Sequence, residues 1–194
     1  MSDQEKMTPS GSQTVGPYFT IGLRTLADEV AEVDKGRGSI ELRGRIVDRD
    51  GAPVPDAMLE LWGAEGKGVY VGASAGVGAS AGADELPAGF HRLITDAEGR
   101  FSARINKPVP VLLGDGCKQA PHFLVLCFAR GLLRHLITRM YFAGEEANES
   151  DPVLLEVPEA RRHTLVAQRE EGDPSVFRWD VVLQGHNETA FFAW

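Results

Sequence analysis

Cysteine is scarce in this chain: only Cys117 and Cys127 occur among 194 residues. A secreted scaffold held by disulfides uses more, and the spacing of this pair fits no metal-binding pattern, so a reduced, cytoplasmic protein is expected. Cys127 lies inside an apolar run, where cysteine acts as a small hydrophobe. Positive charge is also in short supply, with 20 Lys and Arg against 28 Asp and Glu and a formal charge of -8. Nucleic-acid binding needs a basic stripe, and the one short cluster, Arg161-Arg162-His163, reads as a solvated face. No apolar run approaches the length of a membrane span, and residues 1–7 lack the basic-then-apolar layout of a secretory signal. Walker A, Gly-x-Ser-x-Gly, His-Glu-x-x-His and Cys-x-x-Cys motifs are missing. The five histidines (His91, His122, His135, His163, His186) form no pair at metal-binding spacing.

What the chain does have is punctuation. Its 22 glycines and 11 prolines separate short runs of Val, Ile, Leu and Phe. That pattern predicts an all-β sandwich of mostly antiparallel strands, with long loops and at most short helices. Residues 40–47 alternate Ile40, Leu42 and Ile46 with Glu41, Arg43 and Arg45, which gives one buried and one wet face. Strands are expected at 58–62 and 136–142, and residues 91–106 read as a hairpin about the turn Asp96-Ala97-Glu98-Gly99. Residues 123–128 are apolar on both faces, so that strand should be central and covered on both sides. Phe177, Trp179, Val181 and Leu183 mark one late strand, and the apolar end Phe191-Phe192-Ala193-Trp194 should pack into a sheet or an interface. A short helix is expected at 26–33. The Gly/Ala/Ser stretch at 72–83 has nothing to bury and reads as a mobile surface insertion. The expected organisation is an N-terminal arm at 1–38, to which the resemblance given next assigns a pocket loop, and one sandwich domain at 39–194. Trp62 and Trp179 read as core aromatics, and His122 as a satisfied buried histidine.

Several local patterns carry a family resemblance. The run Thr8-Pro9-Ser10-Gly11-Ser12-Gln13-Thr14-Val15-Gly16-Pro17-Tyr18-Phe19 resembles the T-P-S-Q-T-x-G-P-Y segment of intradiol ring-cleavage dioxygenases, with Gly11-Ser12 as an insertion. Glu60-Leu61-Trp62, Gln119-Ala120-Pro121-His122, Phe128-Ala129-Arg130-Gly131, Thr138-Arg139-Met140-Tyr141-Phe142 and Arg161-Arg162-His163-Thr164-Leu165 extend it, in order, along the chain. The resemblance implies cleavage of a catechol such as protocatechuate by dioxygen. It further implies a ferric ion held by two tyrosinates and two histidines, since anionic phenolate suits a hard cation.

Carried over residue by residue, Tyr70 matches the first tyrosine ligand and His122 the first histidine. Val111 stands where the second tyrosine is expected and Leu124 where the second histidine is expected, while Gln119 replaces the active-site arginine. Aliphatic side chains donate no lone pair, so these four positions are a vestigial ligand set. The chain is expected to bind no catalytic metal and to carry no catalytic residue. The resemblance then points to the α-type chain of α/β family members. Such a chain shapes the substrate pocket through Thr14, Gly16, Pro17 and Arg130, while a homologous β chain holds the Fe(III). Two other readings stay open: a non-enzymatic β-sandwich interaction module, and a homo-oligomeric catechol dioxygenase that recruits other ligands such as His91 or His135.

Overall fold

The structure is a computed structural model that describes residues 10–32, 39–65, 69–70, 89–113 and 116–193, with only the backbone given at 25–32, 65 and 69–70. The Gly/Ala/Ser stretch at 72–83 lies outside the described residues. In chain order the elements are helix α1 (Pro17–Glu32), strands β1 (Ser39–Val47), β2 (Met58–Glu65), β3 (Val69–Tyr70), β4 (Phe90–Ile94), β5 (Arg100–Asn106), β6 (Val111–Leu112), β7 (Lys118–Gln119), β8 (His122–Phe128) and β9 (Leu136–Phe142). Helices α2 (Pro152–Glu156) and α3 (Glu159–Arg162) follow, then β10 (Val166–Glu170), β11 (Asp173–Arg178) and β12 (Val181–Val182).

Two layers enclose the core. One contains β5, β1, β11 and β10; the other contains β4, β2, β8 and β9, and the β10–β9 pair joins them along one side. The hydrogen-bonded path runs β12-β1-β11-β10-β9-β8-β2-β3. The alternation expected for β1 holds: Ile40, Leu42 and Ile46 are buried while Arg43 and Arg45 face solvent. Across the gap they meet Leu59, Leu61, Phe123, Val125, Cys127, Met140 and Phe142, with Phe177 and Trp179 beside them in their own layer. Burial of Cys127 pushes its thiol up to about 12, so it behaves as a small hydrophobe and not as a nucleophile.

The structure redraws several expected elements. Residues 91–106 do turn at Asp96, whose carbonyl accepts from Gly99 N at 3.0 Å. The two arms form no hairpin ladder, however: β4 pairs with β2 and β5 pairs with β1, so the turn crosses between layers. The single late strand is two, β11 and β12, both parallel to β1, with the buried Trp179 at the break. Strand β8 is central, between β2 and β9, but its second face is only partly covered among the described residues, leaving Leu124, Leu126 and Phe128 half-buried. Trp62 belongs to that second face, with its ring 4.5 Å from Phe90, so of these two tryptophans Trp179 alone lies in the core. The helix begins at Pro17 and not at residue 26. Proline suits a first helical turn because the missing N–H is unpaired there in any helix. Arg162 is no mere surface charge: it donates to the carbonyls of Val157 and Leu155, both at 2.8 Å, tying down the end of α2. At the C-terminus Phe192 N donates to Ile137 O at 2.8 Å, which docks the expected apolar tail on β9.

Candidate functional site

The two ends of β8 carry two different sets of residues. The positions that the resemblance matches to metal ligands collect at its start. His122 and Leu124 are two apart on one strand and therefore share a face. Leu124 sits opposite Trp62 on β2, Tyr70 opposite Ala64 further along β2, and Val109 N donates to Ala64 O at 3.0 Å. Val111 is buried in the two-stranded β6–β7 pair, opposite the buried Gln119. The structure thus brings the backbones of 70, 109–111 and 122–124 around one end of β2.

A polar network fixes this end. Asp151 is fully buried, and its carboxylate accepts from Ala120 N at 2.8 Å, Tyr141 Oη at 3.0 Å, Val153 N at 3.0 Å and Leu154 N at 2.9 Å. It caps α2 and holds the Gln119-Ala120-Pro121-His122 segment at once. His122 Nδ1 lies 2.7 Å from Ala120 O; the carbonyl can only accept, so Nδ1 carries the proton. Its ring lies 5.4 Å from that of Tyr141. Burial, aided by nearby Arg139 and opposed by Ala120 O and Asp151, brings His122 down to about 4, so it is neutral. Burial likewise raises Tyr141 well above the ordinary phenol range, so it stays a neutral donor.

These side chains do not suit a ferric ion. Val111 and Leu124 offer no donor atom, and Gln119 offers only a neutral amide. The described residues include no group of three or more His, Cys, Asp or Glu placed to hold a metal. The substitute histidines are not gathered either. His91 packs its ring 5.9 Å from Phe123 on the core face, opposite to the face of His122. His135 lies 5.3 Å from Phe128, at the other end of the strand.

The expected pocket-wall residues collect at that other end, roughly 20 Å along the strand at ~3.3 Å per residue. Arg130 and Gly131 follow β8, and Gly131 N donates to Thr14 Oγ1 at 2.7 Å, so the N-terminal arm and this turn are joined. Gly16 O accepts from Phe19 N at 3.1 Å as α1 begins, and Phe19 lies 5.4 Å from Phe128. None of the described residues comes within 4 Å of where a Cβ on Gly16 would stand. Pro17 is the first helical residue of α1.

Besides Asp151, a second residue escaped the sequence reading. Asp56 Oδ2 lies 3.3 Å from Arg130 Nη2, the two being 74 positions apart. The only local signal is the Pro55-Asp56 turn, which says nothing about a distant arginine. A separate cleft of about 520 Å³ opens over Arg43, Arg45, Arg100, Ser102, Glu170 and Arg178 on the outer face of β1 and β5. Its arginines are largely neutralised in place, Arg43 by Glu41 at 2.7 Å and Glu170 at 3.1 Å, and Arg45 by Asp180 at 3.4 Å. That cleft reads as a solvated ion-pair ladder.

Comparison with known proteins agrees with this geometry. The profile of the dioxygenase family matches residues 15–185. The chain is 40% identical to the protocatechuate 3,4-dioxygenase alpha chain of Burkholderia cepacia, covering 96% of this chain and 97% of that one. It is 32% identical to the beta chain from the same organism, over 77% of this chain and 66% of that one. Among solved structures, catechol 1,2-dioxygenase from Pseudomonas arvilla C-1 superposes with a TM-score of 0.57 at 25% identity, over 79% of this chain and 54% of that one. A sandwich with these matches along nearly its whole length is an intradiol dioxygenase by descent: the chain belongs to that family.

Proposed function

We propose that this chain is the α-type subunit of a cytoplasmic protocatechuate 3,4-dioxygenase and forms one wall of the substrate pocket. A homologous β-type chain holds the Fe(III), which supplies catechol binding and oxygen activation. The reaction opens the ring of 3,4-dihydroxybenzoate between its hydroxyl-bearing carbons, with dioxygen, to 3-carboxy-cis,cis-muconate. The observation that carries this reading is the separation along β8. One end has aliphatic Val111 and Leu124 in place of ligands, while the other joins Thr14 to the Arg130–Gly131 turn through a 2.7 Å hydrogen bond.

Physical chemistry supports a wall that recognises an anion. Arg130 is half-exposed, so its guanidinium is open to a carboxylate that approaches from outside the chain. The N-terminus of the 16-residue α1 starts beside the same arm and adds its positive dipole end. Gly16 has open space on its Cα, which lets a ligand approach the backbone. Tyr18, Ile21 and Leu133 are exposed on the arm and on the turn that follows Arg130, and they supply apolar surface for a partner chain.

The test is reconstitution with a β-type chain. The isolated chain should carry no stoichiometric iron and no activity, while the pair should carry one iron per two chains and cleave protocatechuate. In that pair, Arg130→Ala should raise KM by about one to two orders of magnitude, the loss of a charge-assisted contact worth ~1.5–3 kcal/mol. Iron-dependent cleavage by the isolated chain, or an unchanged KM, would reject the assignment.

A further inference from the structure

We propose that Asp56 is a positioning residue that holds the Arg130 guanidinium ready for a substrate carboxylate; this rests on the pocket-wall reading above. Asp56 stands at φ 55°, in the left-handed region, at the third position of the turn Val54-Pro55-Asp56-Ala57. Proline at the second position and positive φ at the third are the pattern of a type II turn, where glycine or asparagine is the usual choice. An aspartate there accepts a backbone conformation that gives it no local advantage over glycine, so its carboxylate needs a reason.

The backbone beneath that carboxylate is unusually well held. Thr20 Oγ1 donates to Asp56 O at 2.9 Å. Thr95 Oγ1 donates to Val54 O at 2.8 Å and accepts from Ala57 N at 2.9 Å, bridging the turn. Both threonines are buried, at 4% and 2% exposure. From this fixed base Asp56 makes one ion pair among the described residues, with Arg130. Arg130 is anchored from the other side, because its neighbour Gly131 is held by Thr14. One contact at 3.3 Å occupies one of five guanidinium N–H donors and leaves the rest for a ligand.

The energetic role is pre-organisation. A free arginine loses rotamer freedom when it binds a carboxylate, and an arginine already aimed loses less. Repulsion between Asp56 and an incoming carboxylate opposes this, but both ends of the pair are exposed and solvent screens it. The same screening acts on the Asp56–Arg130 contact, so the gain is the rotamer freedom that Arg130 has already given up, and removing the carboxylate should weaken substrate binding without touching the chemical step.

Asp56→Gly suits the test, since glycine adopts the same φ without strain; Asp56→Asn is a second variant that also tolerates positive φ. Each is assembled with the β-type chain and assayed on protocatechuate and on catechol, which lacks the carboxylate. We expect KM for protocatechuate to rise about three- to tenfold, with kcat unchanged and catechol kinetics unaffected. In an Arg130→Ala background Asp56→Gly should add nothing. An unchanged or lowered KM for protocatechuate, an equal effect on catechol, or a full effect in the Arg130→Ala background would each overturn the proposal. If Arg130→Ala raises KM and Asp56→Gly does not, positioning fails and the pocket wall stands. If Arg130→Ala itself changes nothing, the pocket wall fails first.

Discussion

Asp151 and His122 show how much one buried group can decide. Asp151 accepts four hydrogen bonds from three separate segments, so replacing it leaves several buried donors without an acceptor. Asp151→Ala should cost about 3 kcal/mol or more. In the assembled enzyme that corresponds to a fall in Tm of roughly ten degrees; calorimetry that finds no shift would remove Asp151 from this role. His122 sets an acid limit. The unfolded chain protonates it near the ordinary 6.5, whereas the folded chain resists until about 4, chiefly through burial. Its neutral form is therefore stable above pH 6.5, and stability is lost as pH falls from 6.5 toward 4, with no further loss from this group below. The whole effect is on the order of 3 kcal/mol or less. His122→Gln should flatten the dependence of the urea midpoint on pH across that window, and an unaltered slope would assign the acid sensitivity to another group. The sequence pointed to His122 and Arg130 through local motifs. The pairing of Asp56 and the hold of Asp151 on Ala120 and Tyr141 were not legible, because those partners lie 74, 31 and 10 residues away and no spacing rule links them; only the cap of Asp151 on α2 is local.

At the scale of the element, β1 is the strand on which one layer is built. It pairs with β5 on one side and successively with β11 and β12 on the other. The handover falls at Gly44, where an alanine Cβ would lie 1.8 Å from the carbonyl oxygen of Trp179 and 2.5 Å from the ring of Phe101. Trp179 N donates to Arg43 O at 2.9 Å, so that carbonyl is not free to withdraw. Gly44→Ala should destabilise the chain by about 3 kcal/mol, the upper range for overpacking. A circular-dichroism melt of the reconstituted enzyme checks this, and a wild-type curve would mean that the backbone yields more readily than these contacts imply. The strand itself was legible from period-two alternation in Ile40, Leu42 and Ile46. The split of β11 from β12 and the crossing of residues 91–106 between layers were not, since alternation fixes which face is buried but not which strand lies alongside.

For the whole molecule, the apolar ledge is what calls for a partner. Leu124, Leu126 and Phe128 stay half-buried on the second face of β8, and Tyr18 and Ile21 are 83% and 64% exposed. Surface of this kind favours association. Produced without a β-type chain, the protein should self-associate, and sedimentation should register a shift to a defined hetero-oligomer when the partner is supplied. A monodisperse monomer that ignores the partner would contradict the ledge as an interface. Sequence alone determined the all-β class, the alternating faces and the aliphatic replacements Val111 and Leu124, because residue chemistry and local period are carried by the chain itself. Only the tertiary structure decided that Thr14 meets the Arg130–Gly131 turn at one end of β8 and that residues 70 and 109–111 gather with His122 and Leu124 at the other. It alone seated Asp56 beneath Arg130 and made Asp151 the tie between α2 and the His122 segment. Those arrangements depend on long-range pairing, where groups far apart in sequence become neighbours through packing that no local pattern encodes.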